Sequence, residues 1–284
     1  MSRPVHICTI QPPTVGDDVS HEQMEDTALR LLEEAGACDA DLVCLPEYLN
    51  VMGCADDAWR SPGPAEQSPL FDKVAALARL HTMHVILPVL DEREDGNFNT
   101  SLVIDRSGQV VGRYDKTHLT AVEREDQGVQ VGATYPVFDL DFGRIGIMTC
   151  YDGHFPEVAR LLSLAKAEII LFPSLQRRIT AEQLELQIRC RAIDNCVWIV
   201  RSSYGHADDV AWVPGLTAGK SCIVDFEATV LADAGPRVGF ASHTVDLDRP
   251  RTKERSFGGT IGDARDFLHA DRRPSTYGGL TDGA

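Results

Sequence analysis

No stretch of this 284-residue sequence approaches 18 consecutive apolar residues, which excludes a membrane-spanning helix of ordinary length. The amino terminus, MSRPVHICTIQPP, lacks the long apolar core and small-residue cleavage site of a secretory leader, so a cytoplasmic location is expected. Basic residues are scarce: 27 Lys and Arg stand against 43 Asp and Glu, a net charge of −16 with no basic stripe. Nucleic acid and anionic membrane surfaces are repelled at long range by such a chain, which leaves small molecules or proteins as partners. The eight cysteines include no C-x-x-C pair, and most lie in apolar runs, where a thiol packs as a small hydrophobe in a reducing compartment. His81 and His84 have no accompanying Cys or carboxylate cluster, and neither a Gly-x-Gly-x-x-Gly nor a Walker pattern occurs. No metal and no bound cofactor are therefore expected.

What is present suffices for a sizeable core: 43% of the residues are hydrophobic. No repeat, linker or low-complexity tract interrupts the chain, so one domain over 1–284 is expected. Its tail, from about 250 to 284 and rich in Gly, Arg and Asp, reads as an extended arm. PVHICTI and DLVCLPE have the pattern of buried strands. Ser20 with Gln23 predicts a capping box opening a helix through about Ala37, and Ser68 with Pro69 predicts a second helix to about His81. TSLVIDRSGQVVGRYDK reads as two strands about a Ser-Gly turn. Further along, strands in FGRIGIMTC, EIILFPS and CVWIVRSS alternate with helices in PEVARLLSLAKA and AEQLELQIRCRAIDN, and a hairpin follows in SCIVDFEATVLADAG. Buried strands alternating with helices, interrupted by hairpins, predict an α/β layered body with mixed sheets.

Three residues stand where such a body exposes side chains. Cys150 ends the strand FGRIGIMTC and precedes an Asp-Gly turn and a helix, a setting that presents a nucleophile with free backbone N–H groups beside it. Glu47 ends DLVCLPE, at the kind of strand end where α/β active sites gather, and could serve as a general base. Lys116 follows the hairpin in GRYDKTHL; an ammonium held between carboxylates stays charged and can stabilise an oxyanion.

In that order, LPEY, YDKTHL and CYDGHFPEVARLL resemble the Glu-Lys-Cys signature of the nitrilase superfamily of carbon–nitrogen hydrolases. The resemblance extends over nearly the whole chain, through ICTIQPP, AEIILFPS, LQIRCRAIDNCVWIV and GKSCIVD. It implies a four-layer α-β-β-α sandwich and cofactor-independent hydrolysis through a thioester. Glu47 is then the base, Cys150 the nucleophile, and Lys116 with the Tyr151 backbone N–H the oxyanion site. Superfamily members carry a second glutamate between lysine and cysteine. Counting back from Gly132 selects Glu125, counting forward from the His-Leu pair selects Glu123, and Glu125 is preferred.

Cys-Tyr-Asp after the nucleophile looks like the amidase and carbamoylase branches, whereas nitrile-cleaving members typically have Cys-Trp-Glu. The expected substrate is thus a small amide or N-carbamoyl amine, bound by His154, Asp152 and Arg177, the last as a clamp for a carboxylate. Nitrile hydrolysis and a catalytically silent assembly subunit are the alternatives. The resemblance also implies a homodimer or larger homo-oligomer, paired through helices 156–166 and 181–195.

Overall fold

PVHICTIQ forms strand β1 (Pro4–Gln11), and Ser20 then opens helix α1 (His21–Ala37) with the expected reciprocal bonds. The Gln23 N–H donates to Ser20 Oγ at 3.2 Å and the Ser20 N–H to Gln23 Oε1 at 2.9 Å. The structure is a computed structural model that describes residues 2–16, 18–176, 179–206, 219–254 and 258–280. It contains two compact units, Met1–Leu247 and Asp248–Ala284.

In the first unit the chain continues through β2 (Leu42–Cys44), the short α2 (Asp56–Arg60), α3 (Pro69–His81), β3 (His84–Arg93), β4 (Gly96–Ile104), β5 (Val110–Asp115) and β6 (Val129–Gln130). These strands form one sheet in the order β13-β1-β2-β3-β4-β5, with β6 paired to β4 and β13 (Gly239–Asp246) returning antiparallel to β1. The second sheet runs β12-β11-β10-β9-β8-β7, from β7 (Val137–Leu140), β8 (Gly143–Ile147), β9 (Ile169–Pro173), β10 (Trp198–Ser202), β11 (Cys222–Val224) and β12 (Val230–Asp233). Helices α4 (Pro156–Leu164) and α5 (Ala181–Asn195) lie between its strands in sequence. Both sheets mix parallel and antiparallel pairs.

The layering follows from which side chains are apolar. Met24, Ala28, Leu31 and Leu32 of α1 and Leu70, Val74 and Ala78 of α3 pack on Cys8, Ile10, Val43, Val85 and Leu102 of the first sheet. Val158 and Leu162 of α4 and Leu184, Ile188 and Ala192 of α5 pack on Met148, Ile170, Phe172 and Ile199 of the second. Alternation along each strand turns the remaining apolar residues, such as Ile7, Leu42 and Ile86 on one sheet and Ile169, Leu171 and Val200 on the other, to the opposite faces, and all are fully buried. The two sheets therefore stack on each other between helix layers, and each buried leucine-sized side chain contributes about 1.5–3 kcal/mol. Polar side chains stitch the seam: Thr9 Oγ1 donates to the Arg201 carbonyl at 2.6 Å and Ser202 Oγ to the Ile10 carbonyl at 2.7 Å.

The hairpin between β4 and β5 turns on Gly108, whose φ of +77° explains the Ser-Gly pair. In the second unit the tail expected to be extended contains helix α6 (Ala264–Ala270), whose first turn is capped by the Asp263 carboxylate accepting from Arg265 N and Asp266 N. Aspartate in that position was the overlooked helix-start signal. Among the described residues no helix is long and apolar enough to cross a membrane.

Candidate active site

Four strand ends supply the site: Glu47 follows β2, Lys116 follows β5, Cys150 follows β8, and Leu175 with Gln176 follows β9. They share the wall of a cavity of about 330 Å³ that is also lined by Tyr48, Trp59, Thr120, Glu123, Tyr151 and His154. At its base Lys116 Nζ donates to Glu47 Oε1 at 2.9 Å and to Glu123 Oε1 and Oε2 at 2.8 and 3.0 Å. All three are buried, at 1% exposure for Glu47 and Lys116 and 3% for Glu123. Burial alone would discharge the ammonium, but the charges of Glu47 and Glu123 outweigh it and push the Lys116 pKa up. Lys116 is thus a fixed positive charge.

Glu47 is held from several sides. Asn99 Nδ2 donates to its Oε1 at 2.8 Å, the Leu175 N–H donates to its Oε2 at 2.8 Å, and the Tyr204 hydroxyl donates to its backbone carbonyl at 2.7 Å. Glu123 accepts from the Tyr48 hydroxyl at 2.5 Å, from Asn99 Nδ2 at 3.0 Å and from the Thr120 N–H at 2.7 Å. Burial opposes its ionisation, yet Lys116 first, and then Tyr48 and Thr120, bring its pKa down to about 2.

Cys150 has a φ of +47°, the left-handed region that a non-glycine residue occupies only where its surroundings enforce it. It opens a helical turn, Cys150–His154, so the Tyr151 N–H in the first turn has no acceptor within that segment. Burial, and then the charge of Glu47, push the thiol pKa up; Lys116 and the Leu175 N–H pull the other way without reversing it. The sulfur is a neutral thiol at rest, with a carboxylate and an ammonium as its electrostatic neighbours.

The profile of the carbon–nitrogen hydrolase family matches residues 7–254. The chain belongs to the carbon–nitrogen hydrolases. Within the nitrilase superfamily it is 29% identical over 248 residues to the "Hydrolase in pqqF 5'region" of Pseudomonas protegens, covering 86% of this chain and 82% of that one. It is 28% identical over 285 residues to the deaminated glutathione amidase of Bos taurus, covering 91% and 80%. Its fold superimposes on an amidase from Nesterenkonia sp. with a TM-score of 0.75 at 20% identity, over 98% of this chain and 97% of that one.

This carbon–nitrogen hydrolase departs from the sequence expectation at two site residues, Glu125 and Asp152. Glu123, not Glu125, stands beside Lys116, and Glu125 is exposed. The reason is a wide helical turn at Val122–Asp126, closed by the Gln127 N–H on the Val122 carbonyl at 3.1 Å; it adds residues after Glu123 and defeats a count taken backwards from Gly132. Gly132 itself closes the loop, its N–H donating to the Lys116 carbonyl at 2.9 Å, where a side chain would collide with the Asp115 carbonyl. Asp152 does not line the cavity: it is fully buried, and its oxygens face Tyr114, Thr117, His118 and Thr149. Arg177 lies outside the described residues. His154 does line the cavity, and burial, with the charge of Arg191 second, lowers its pKa.

Asn99, Tyr48, Leu175 and Gln176 were not anticipated. The one available signal was Asn99-Thr100-Ser101, three polar residues in the middle of a strand buried on both faces. Among the described residues no group of three or more His, Cys, Asp or Glu is placed to hold a metal ion.

The exchange of glutamates makes a paired prediction. Glu125→Gln, at an exposed position, should leave the melting temperature at neutral pH unchanged, while Glu123→Gln should flatten the acid limb of thermal stability. Because the folded pKa of Glu123 lies below its ordinary value, the stabilisation is complete above about 4.5 and is lost as pH falls towards about 2. Melting temperatures of both variants across that window check this; a parallel acid limb in wild type and Glu123→Gln refutes it.

Proposed function

We propose that this hydrolase cleaves the C–N bond of a small carboxamide or N-carbamoyl amine, with Glu47, Lys116 and Cys150 as the reacting set and Glu123 orienting the lysine. One observation carries the reading: a buried ammonium fixed between two carboxylates stands on the same cavity wall as a cysteine held in the left-handed conformation at a strand end. The similarity to a deaminated glutathione amidase supports the amide half of this reading.

As the sulfur attacks the carbonyl carbon, Glu47 takes the thiol proton, since the resting thiol is neutral and needs a base within reach. The carbonyl oxygen becomes an oxyanion between Lys116 Nζ and the Tyr151 N–H, and a fixed donor of that kind is worth about 10²–10³-fold in rate. Glu47 then returns the proton to the departing amine. Water, activated by the same carboxylate, hydrolyses the thioester and regenerates the thiol. Lys116 does not act as the acid, because its flanking charges hold its proton.

The cavity, about 330 Å³, suits a small substrate, and Trp59, Tyr48 and Tyr151 supply aromatic surface beside the polar reacting groups. The test is intact-mass spectrometry of the full chain after incubation with a panel of primary amides and N-carbamoyl compounds. A mass gain of one acyl group mapping to Cys150, with ammonia release that vanishes in Cys150→Ala, is expected. Ammonia release by Cys150→Ala at the wild-type rate would falsify the reading.

A further inference from the structure

Asp152 is a fully buried carboxylate two residues from the candidate nucleophile, and the reaction as written leaves it without a task. Its partners come from two segments far apart in sequence. Oδ2 accepts from the Thr149 N–H and from the Tyr114 hydroxyl, each at 2.7 Å. Oδ1 accepts from the His118 N–H at 3.0 Å and lies 3.0 Å from His118 Nδ1 and 3.1 Å from Thr117 Oγ1. Thr149 immediately precedes Cys150, while Tyr114, Thr117 and His118 surround Lys116.

The same residue also closes the turn about the cysteine. Its own N–H donates to the Thr149 carbonyl at 2.9 Å, so Asp152 holds both the N–H and the carbonyl of the residue that precedes Cys150. A left-handed non-glycine residue costs about 1–2 kcal/mol, and this grip is a local restraint that opposes its relaxation. The other oxygen fixes the backbone on the far side of Lys116, so one carboxylate sets the distance between the sulfur and the ammonium that must meet the same carbonyl group.

We propose that Asp152 is a positioning residue that holds the nucleophile turn in register with the lysine segment. It touches no substrate. This role rests on the reading of Cys150 as the nucleophile. Asparagine at this position preserves shape but offers an NH₂ to one of two sets of donors, so either the Thr149 N–H or the His118 N–H meets another donor in a buried site.

The probe is iodoacetamide, a small amide that alkylates the nucleophile, followed as saturable labelling of Cys150 in the full chain. Asp152→Asn should lower the maximal labelling rate by about 100-fold, the loss expected for a misplacement near 1 Å, with half-saturation changed by less than about threefold. Tyr114→Phe removes one donor and should lower the rate by about tenfold. Adding it to Asp152→Asn should cause little further loss, because both act through one carboxylate. Wild-type labelling rates in Asp152→Asn overturn the proposal, as do losses confined to half-saturation or fully multiplicative in the double variant. Should Asp152→Asn fail to fold, a wild-type rate in Tyr114→Phe overturns it alone. The underlying reading fails separately: in wild type, Cys150 would then be labelled no faster than the exposed Cys38 and Cys190.

Discussion

Lys116→Met is expected to abolish turnover and to cost about 3–5 kcal/mol of stability, the range measured when one partner of a buried ion pair is removed. The ammonium makes contacts of 2.8–3.0 Å with Glu47 and Glu123, and all three side chains are almost fully buried. Methionine fills the volume but leaves two carboxylates joined only through the Asn99 amide, and at least one of them must take up a proton to remain buried. Chemical denaturation at neutral pH should show the lower midpoint, and the deficit should shrink below about pH 4.5, where protonation of glutamate becomes easy. The double variant Lys116→Met/Glu123→Gln should recover most of the stability and none of the activity. A single variant with the wild-type midpoint would show that the charges are already neutral in the native protein.

Glu47→Gln tests the base. The substitution keeps the side-chain length and one oxygen for the Leu175 N–H but turns an NH₂ towards Lys116 and Asn99; Lys116 keeps its pair with Glu123, so the fold should be retained at some cost in stability while the proton acceptor is lost. A positioned base contributes about 10²–10⁴-fold, and kcat should fall by that factor with KM nearly unchanged, since Trp59, Tyr151 and Gln176 still line the cavity. Labelling of Cys150 by iodoacetamide near neutral pH should slow in parallel and recover only in strong alkali, because burial holds the thiol pKa high. Retention of more than about a tenth of the wild-type kcat would assign the proton transfer to another group.

How much of this was legible in the sequence depends on how local each signal was. Ser20, Ser68 and Gly108 each announce a cap or turn within four residues, and each has that place in the structure. Glu47, Lys116 and Cys150 stood at ends of apolar runs, which is where strands release their side chains into a common cavity. The return of β13 to pair with β1, more than 200 residues away, has no local signature. Nor did the count back from Gly132 register the wide turn after Glu123, the residue that the count forward from the His-Leu pair reaches. Asp152, expected at the substrate from the resemblance of Cys-Tyr-Asp to the amidase branches, takes its partners from the Tyr114–His118 segment instead, and only the folded chain reveals which way it faces.

The stitching between the two sheets has a consequence of its own. The proposed base, Glu47, and the ammonium of Lys116 descend from one sheet, the proposed nucleophile, Cys150, and the Leu175 amide from the other, so neither layer holds the whole site. A slide of the layers by about 1 Å would leave every helix and strand intact and still cost about 100-fold in rate. Hydroxyls such as those of Thr9 and Ser202 therefore act as dowels, and their worth lies in alignment more than in strength.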